Sequence, residues 1–342
     1  MATEPTTQYT KADFESDNDI RWCPGCGDYA VLSAVQQAMP QIAVDLNLPR
    51  EKFVFVSGIG CSSRFPHYMK CYGFHTIHGR PLTAATGIKS TNPELSVWVI
   101  TGDGDGLSIG GNHFIHAIRR NQDIKILLFN NKIYGLTKGQ YSPTSELGKK
   151  TKSTPYGSID NPINPVSIAI AAGATFVART VDKNVKHMME VVKKAALHKG
   201  VAFIEVYQNC LVFNDNAHAP FTEKEVKDEN SVYLQDGKQL IFGKNSDKAI
   251  KLSGFHPEII SASNGGLINA LTHNEKAEDR GLAYVLGQMG VENPDLPVVF
   301  GVLRNVDQPT YQDRLLEQEK QAKEKPASLE KILNAGDTWI VK

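Results

Sequence analysis

No excess of either charge marks this 342-residue sequence: 37 basic residues face 37 acidic ones, for a formal net charge of zero. No basic block stands out, so neither nucleic acid nor a membrane surface is an expected partner. Long apolar runs are missing, and none approaches the length of a membrane span. The start, MATEPTTQYT, lacks the apolar core of a signal peptide. The expected location is therefore the cytoplasm. Cysteine is scarce, at five residues (Cys23, Cys26, Cys61, Cys71 and Cys210), an odd number too sparse for a disulfide framework. In a reducing compartment such cysteines point to metal or redox chemistry. No internal repeat is evident, and the length suits one large domain or two with ample core.

What the chain does have is one well-marked unit, from Val97 to Gly139. Val97 to Ile100 is short, apolar and rich in β-branched residues, the pattern of a buried parallel strand. It runs into Gly102-Asp103-Gly104-Asp105-Gly106, a turn so tight that it needs glycine. An amphipathic helix from Gly111 to Arg119 follows, then a second buried strand, Ile124 to Phe129, stopping at Asn130-Asn131. Polar residues thus stand at the carboxyl ends of both strands, where open α/β sheets place ligands. Asp103 and Asn131 offer one carboxylate and one amide oxygen. Two such ligands are too few for calcium but suit magnesium, which fills its octahedron with phosphate and water. The glycines let backbone N–H groups approach phosphate oxygens, and the following helix start adds partial positive charge.

The cysteines give a second pattern. Trp22-Cys23-Pro24-Gly25-Cys26-Gly27 forms a knuckle that points two sulfurs at one place, with Asp28 as the expected N-cap of a helix from Tyr29 to Met39. A thioredoxin-type dithiol would follow a strand, and no strand is legible upstream of Trp22. Lys52 to Ser57 reads as a buried strand that ends at Gly58-Ile59-Gly60-Cys61-Ser62, and Cys210 lies just past another, Val201 to Tyr207. Three elements therefore bring Cys23, Cys26, Cys61 and Cys210 to one sheet edge. Four thiolates are the usual ligands of a four-iron four-sulfur cluster, and they also serve zinc. The pattern alone leaves both open. Cys71 reads as a buried, inert thiol.

The rest continues the alternation of a doubly wound, mostly parallel α/β sheet. Leu82 to Ser90 and Val166 to Ala172 read as helices, Thr175 to Ala178 as a short strand and Asn184 to His198 as an amphipathic helix. Residues 1–19 read as a flexible tail, 20–220 as the functional domain, and 221–342 as an extension wrapping the domain or a partner. Tyr141 to Pro165 is polar and long enough to suggest a functional loop or docking surface. Asp236-Gly237 marks an expected two-residue hairpin within Val232 to Gly243, and residues 311–333 an expected charged helix broken near Pro326. His75, His113 and His116 are given no role.

Gly102-Asp103-Gly104 followed by Asn130-Asn131 resembles the thiamine-diphosphate fingerprint, and Ile133-Tyr134-Gly135-Leu136-Thr137-Lys138-Gly139-Gln140 narrows the resemblance. From about residue 20 to 220 the chain looks like the β subunit of a 2-oxoacid:ferredoxin oxidoreductase of the 2-oxoglutarate type. The resemblance implies the diphosphate-module fold, with Asp103, Asn131 and the Ile133 carbonyl on Mg2+. It implies that Cys23, Cys26, Cys61 and Cys210 hold one 4Fe-4S cluster. Thr76, Ile77 and His78 are implied at the diphosphate. Further cofactor contacts are expected at Ile59, Gly60, Cys61, Ser62, Gly102, Gly104, Asp105, Gly135 and Leu136.

The implied reaction is reversible oxidative decarboxylation of a 2-oxo acid with coenzyme A and ferredoxin. The carboxylate that activates the aminopyrimidine has no module here, so an α subunit is expected to supply it, in an αβ pair that dimerises. Lys138 and Arg64 are the expected cations for the second carboxylate of 2-oxoglutarate. Solvation of both would leave pyruvate or a broad substrate range open, and structural zinc would leave a non-redox thiamine enzyme.

Overall fold

The computed structural model describes residues 8–263, 266–324 and 328–341. Its centre is an eight-stranded sheet of β1 (Phe53–Ser57), β2 (Tyr72–His75), β3 (Ser96–Gly102), β4 (Ile124–Asn130), β5 (Phe176–Val181), β6 (Ala202–Tyr207), β7 (Ser231–Tyr233) and a late strand, Val298–Asn305. The order across the sheet is β2-β1-β3-β4-β6-β5, then the late strand, then β7. The first six are mutually parallel, while the late strand runs antiparallel to β5. Strands β1, β4, β5 and β6 are buried along their whole length, so both sheet faces need helices. Helices α1 (Asp28–Leu46) and α5 (Val185–Leu197) cover one face; α2 (Pro81–Thr91), α3 (Gly111–Arg119) and α4 (Pro165–Ala172) cover the other. Because β1, β3, β4 and β6 are parallel, the Gly58, Gly102, Asn130 and Gln208 turns open on the same edge.

Local sequence explains most helix ends. Asn164 and Asn184 cap α4 and α5 by accepting from Ser167 and His187 N–H, and Gly173 (φ 97°) closes α4. Helix α1 differs from expectation: Gly27 occupies the cap, and Asp28 lies buried in the first turn. Neither Asp28 carboxylate oxygen has a partner among the described residues, and burial with nearby Asp182 pushes its carboxyl up to about 7.

Three further expectations are revised. Residues 1–7 of the expected tail lie outside the described residues, but the remainder packs down. Phe14 is fully buried against Phe53, and Arg50 N–H donates to the Tyr9 hydroxyl. Asp236-Gly237 does form a turn, without a hairpin: β7 pairs with Val298–Asn305, while β8 (Ile241–Phe242) joins β9 (Lys248–Ser253) and β10 (His256–Ser261) in a small antiparallel sheet. The C-terminal region also supplies core, since Val298–Asn305 is inserted between β5 and β7. The expected charged helix is Tyr311–Lys323, with a short helix Leu329–Leu333 after it; Pro326 lies outside the described residues.

Candidate active site

The glycine turn after β3 is fixed by contact. A β-carbon on Gly104 would stand 2.1 Å from the Tyr134 ring, whose hydroxyl donates to the Gly104 carbonyl at 3.1 Å. The chain then makes a π-helical turn, Asp105–Ile109, before α3, a local widening often found at functional sites. Asp105 is buried and saturated. Its Oδ1 accepts from Ile59 N–H (3.1 Å) and Gly79 N–H (2.7 Å), and its Oδ2 from Thr101 Oγ1 (2.6 Å). A β-carbon on Gly58 would lie 1.9 Å from that same carboxylate. Asp105 therefore ties the loop after β1 and the His78-Gly79 loop to the glycine turn, and has little left for a ligand.

Asp103 is held by side chains through one oxygen only. Its Oδ2 accepts from Ser142 Oγ at 2.5 Å and Thr144 Oγ1 at 2.6 Å, and no side chain donates to Oδ1 among the described residues. Burial pushes its carboxyl up to about 6, against the pull of those two hydroxyls. Asn131 faces it across β3 and β4. Its Nδ2 donates to Gln208 Oε1 at 2.9 Å and its Oδ1 accepts from Ile133 N–H at 3.2 Å, a turn that Lys132 makes possible at φ 55°. Ile59, Gly60, Cys61, Ser62 and His78 line one side of a cleft over these groups. Gly102 through Asp105, with Asn131, Ile133, Gly135 and Leu136, line the other. Thr76 and Ile77 do not line it: Thr76 donates to the Ser57 carbonyl, and Ile77 is exposed.

The cysteines meet beside this cleft. Cys23, Cys26, Cys61 and Cys210 line one cavity of about 200 Å³, with Gly135 and Leu136 shared between cavity and cleft. The knuckle turns at Gly25 (φ 79°), Cys26 N–H donates to the Cys23 carbonyl at 3.1 Å, and Trp22 Nε1 donates to the Cys61 carbonyl at 2.7 Å. Burial pushes the Cys61 thiol up to about 12 and the Cys26 thiol higher still, with Asp28 and the neighbouring sulfurs adding to both. Gly135 is the floor: a β-carbon there would stand 3.3 Å from the Cys61 sulfur and 3.6 Å from that of Cys210. Among the described residues no three His, Cys, Asp or Glu side chains form a ready pocket for a single metal ion. The four cysteines line one cavity instead. Cys71 is elsewhere, half-buried against the core on the α1 and α5 side of the sheet, its thiol pushed up to about 12 by burial.

Arg64 and Lys138 both line the cysteine cavity and not the diphosphate cleft. Arg64 Nη1 donates to the Arg21 carbonyl at 2.6 Å, and Lys138 is exposed with φ 76°. Sequence reasoning did not single out Ser142, Thr144, Ser145 or Gln208, since hydroxyl and amide residues in a loop carry no spacing signal. The one available hint was the density of hydroxyls in Tyr141-Ser142-Pro143-Thr144-Ser145.

A glycine turn, a buried carboxylate and an asparagine at one parallel-sheet edge define a thiamine-diphosphate enzyme domain, and residues 58–206 match the family described as thiamine pyrophosphate enzyme, C-terminal TPP binding domain. The chain is 46% identical over 343 residues to 2-oxoglutarate oxidoreductase subunit KorB of Mycobacterium tuberculosis, spanning 98% of this chain and 90% of that one. It is 44% identical over 222 residues to 2-oxoglutarate synthase subunit KorB of Methanocaldococcus jannaschii, spanning 64% of this chain and 81% of that one. A solved 2-oxoglutarate:ferredoxin oxidoreductase from Magnetococcus marinus, with 2-oxoglutarate, coenzyme A and succinyl-CoA bound, superposes at a TM-score of 0.76 with 30% identity over 97% of this chain and 98% of that one. The chain belongs to the β subunits of the 2-oxoacid:ferredoxin oxidoreductases. It is an oxidoreductase subunit with a thiamine-diphosphate-binding domain, and no helix among its described residues is long and apolar enough to cross a membrane.

Proposed function

We propose that this chain is the cofactor-bearing β subunit of an enzyme that reversibly decarboxylates 2-oxoglutarate to succinyl-coenzyme A and passes the electrons to ferredoxin. The observation that carries this reading is the shared wall: Cys61, Gly135 and Leu136 line both the diphosphate cleft and the four-cysteine cavity. A two-electron donor site and an electron-accepting site this close need no intervening carrier.

The donor sets fit the groups proposed for them. Asp103 Oδ1, Asn131 and the Ile133 carbonyl would hold Mg2+, hard oxygen donors few enough to leave room for phosphate oxygens. Cys23, Cys26, Cys61 and Cys210 would hold one 4Fe-4S cluster, a ligand set of the usual kind. Thiamine diphosphate, when bound, supplies the carbanion chemistry and the electron store.

The chain's own residues do the positioning. Asp105 keeps the loop after β1 and the His78 loop against the glycine turn. Gly104 and Tyr134 fix the turn's height over β4. Burial favours the protonated thiols of Cys26 and Cys61, so binding a thiolate-ligated cluster there would release their protons. Arg64 and Lys138 line the neighbouring cysteine cavity, and either cation pairing the distal carboxylate of 2-oxoglutarate, which pyruvate lacks, would select that acid. An α subunit would bring the carboxylate that activates the cofactor ring, and the cytoplasm would keep the thiols reduced.

The test is steady-state reduction of ferredoxin by the chain co-purified with its α subunit. Coenzyme A-dependent turnover of 2-oxoglutarate, lowered about 10–100-fold in kcat/KM by Lys138→Ala while pyruvate turnover is unchanged, is the expected result; the loss corresponds to one charge-assisted hydrogen bond. Equal turnover of both acids in the unsubstituted enzyme would overturn the substrate assignment.

A further inference from the structure

The stretch 141–164 holds no helix or strand, yet its first residues are as buried as the core, with Ser142, Thr144 and Ser145 only 2–3% exposed. Their hydroxyls all point at the two turns that carry the proposed metal ligands. Ser142 Oγ donates to Asp103 Oδ2 at 2.5 Å. Thr144 Oγ1 lies 2.6 Å from the same oxygen and 2.9 Å from Asn130 Oδ1, so its single proton is shared between the β3 and β4 ends. Ser145 Oγ donates to the Lys132 carbonyl at 2.7 Å, inside the turn between Asn131 and Ile133. The segment is itself locked, since Ser142 N–H donates to Ser145 Oγ at 2.8 Å and Ile163 N–H to the Pro143 carbonyl at 2.7 Å.

We infer that Ser142 and Thr144 are positioning residues that hold Asp103 Oδ2 away from the metal, leave Oδ1 alone to bind, and so set the site's preference for Mg2+ over Ca2+. This rests on the proposed magnesium–thiamine diphosphate reading. The physical argument is one of coordination number. Magnesium takes six oxygens at short, near-octahedral distances, whereas calcium takes six to eight at longer ones and accepts a carboxylate through both oxygens. Turning Oδ2 onto a metal requires breaking two hydrogen bonds to a charged group, the stronger kind. The clamp therefore penalises the two-oxygen mode that calcium exploits and leaves the one-oxygen mode untouched.

The experiment uses the full chain co-purified with its α subunit and stripped of divalent metal. Thiamine diphosphate affinity is measured by titration calorimetry with Mg2+ and with Ca2+ for the unsubstituted protein, Thr144→Val, Ser142→Ala plus Thr144→Val, and Thr144→Ser. The expected result is a fall of about tenfold in the ratio of Mg2+-supported to Ca2+-supported affinity in the double variant, the equivalent of one such hydrogen bond. Thr144→Ser keeps the ratio, because it keeps the hydroxyl. An equal loss with both metals, or no loss, overturns the inference; if the double variant does not fold, the ratio in Thr144→Val decides alone. Absence of metal-dependent cofactor binding in the unsubstituted protein would overturn the proposed function as well, and so separates the two failures.

Discussion

Gly135 meets Cys61 so closely that a β-carbon on the glycine would stand 3.3 Å from the sulfur, and 3.6 Å from the sulfur of Cys210. Two residues earlier in the same loop is Ile133, which lines the diphosphate cleft. One short turn thus lines both the cleft and the cysteine cavity, and glycine lets it lie close against the Cys61 sulfur.

Gly135→Ala follows directly. The added methyl presses on the Cys61 sulfur, which must give by a few tenths of an ångström, while the Cys210 sulfur stays at ordinary contact distance. Iron and labile sulfide per chain are expected to drop while Mg2+-dependent thiamine diphosphate binding changes less. Full iron content in this variant would contradict the described packing.

The cysteines separate by position. Serine in place of Cys23, Cys26, Cys61 or Cys210 is expected to abolish the visible colour of the purified complex. Cys71→Ser is expected to leave it, since Cys71 lies away from the cavity. Loss of colour in Cys71→Ser would reassign the ligand set.

Asp105 is predicted to act through structure and not through contact with the cofactor. Asp105→Asn keeps an oxygen on the Ile59 and Gly79 N–H groups but removes the charge and turns an amide N–H toward Thr101 Oγ1, whose hydroxyl must then accept instead of donate. Loss of one charge-assisted bond is expected to lower stability by about 1.5–3 kcal/mol, read as a lower thermal midpoint, and to weaken cofactor binding as the loops part. Unchanged stability with lost binding would instead make Asp105 a direct ligand.

Acid sensitivity is expected from two histidines outside the site. Burial holds His187 and His198 down to about 4, from an ordinary 6.5, and Lys125 beside His198 adds to the effect. Between those values the unfolded chain binds protons that the folded chain refuses. Stability is therefore complete above about pH 6.5 and falls as pH drops toward 4, by at most about 3 kcal/mol per histidine. Thermal unfolding at pH 7.5 and pH 5 should show the loss, and His187→Gln with His198→Gln should shrink it. A double variant with the same pH dependence would contradict this.

Much of the fold was legible because its core strands are short, apolar and each followed by a turn signal. Gly111–Arg119 and the strand from Ile124 could be read to the residue at their starts. Asp103, Asn131 and the four cysteines stood out because their side-chain chemistry is rare and their places at strand ends repeat. What escaped was pairing across long sequence separation. Val298–Asn305 is as apolar as β4, but nothing local says that it lies against β5. The Asp236-Gly237 turn is real, yet its flanks find longer partners elsewhere. Ser142 and Thr144 were invisible for a similar reason: a loop hydroxyl means little until the carboxylate it faces is known.

A thiamine-diphosphate site and an iron–sulfur cluster sharing one wall is the arrangement proposed for this subunit. Its most direct test is an anaerobic visible spectrum of the αβ complex, with metal and sulfide analysis, before and after 2-oxoglutarate and coenzyme A. A broad band from about four irons bound to this chain's cysteines, the content of one cubane cluster, is expected, with bleaching when both substrates are added. Zinc in place of iron, or a band that substrate leaves unchanged, would contradict it.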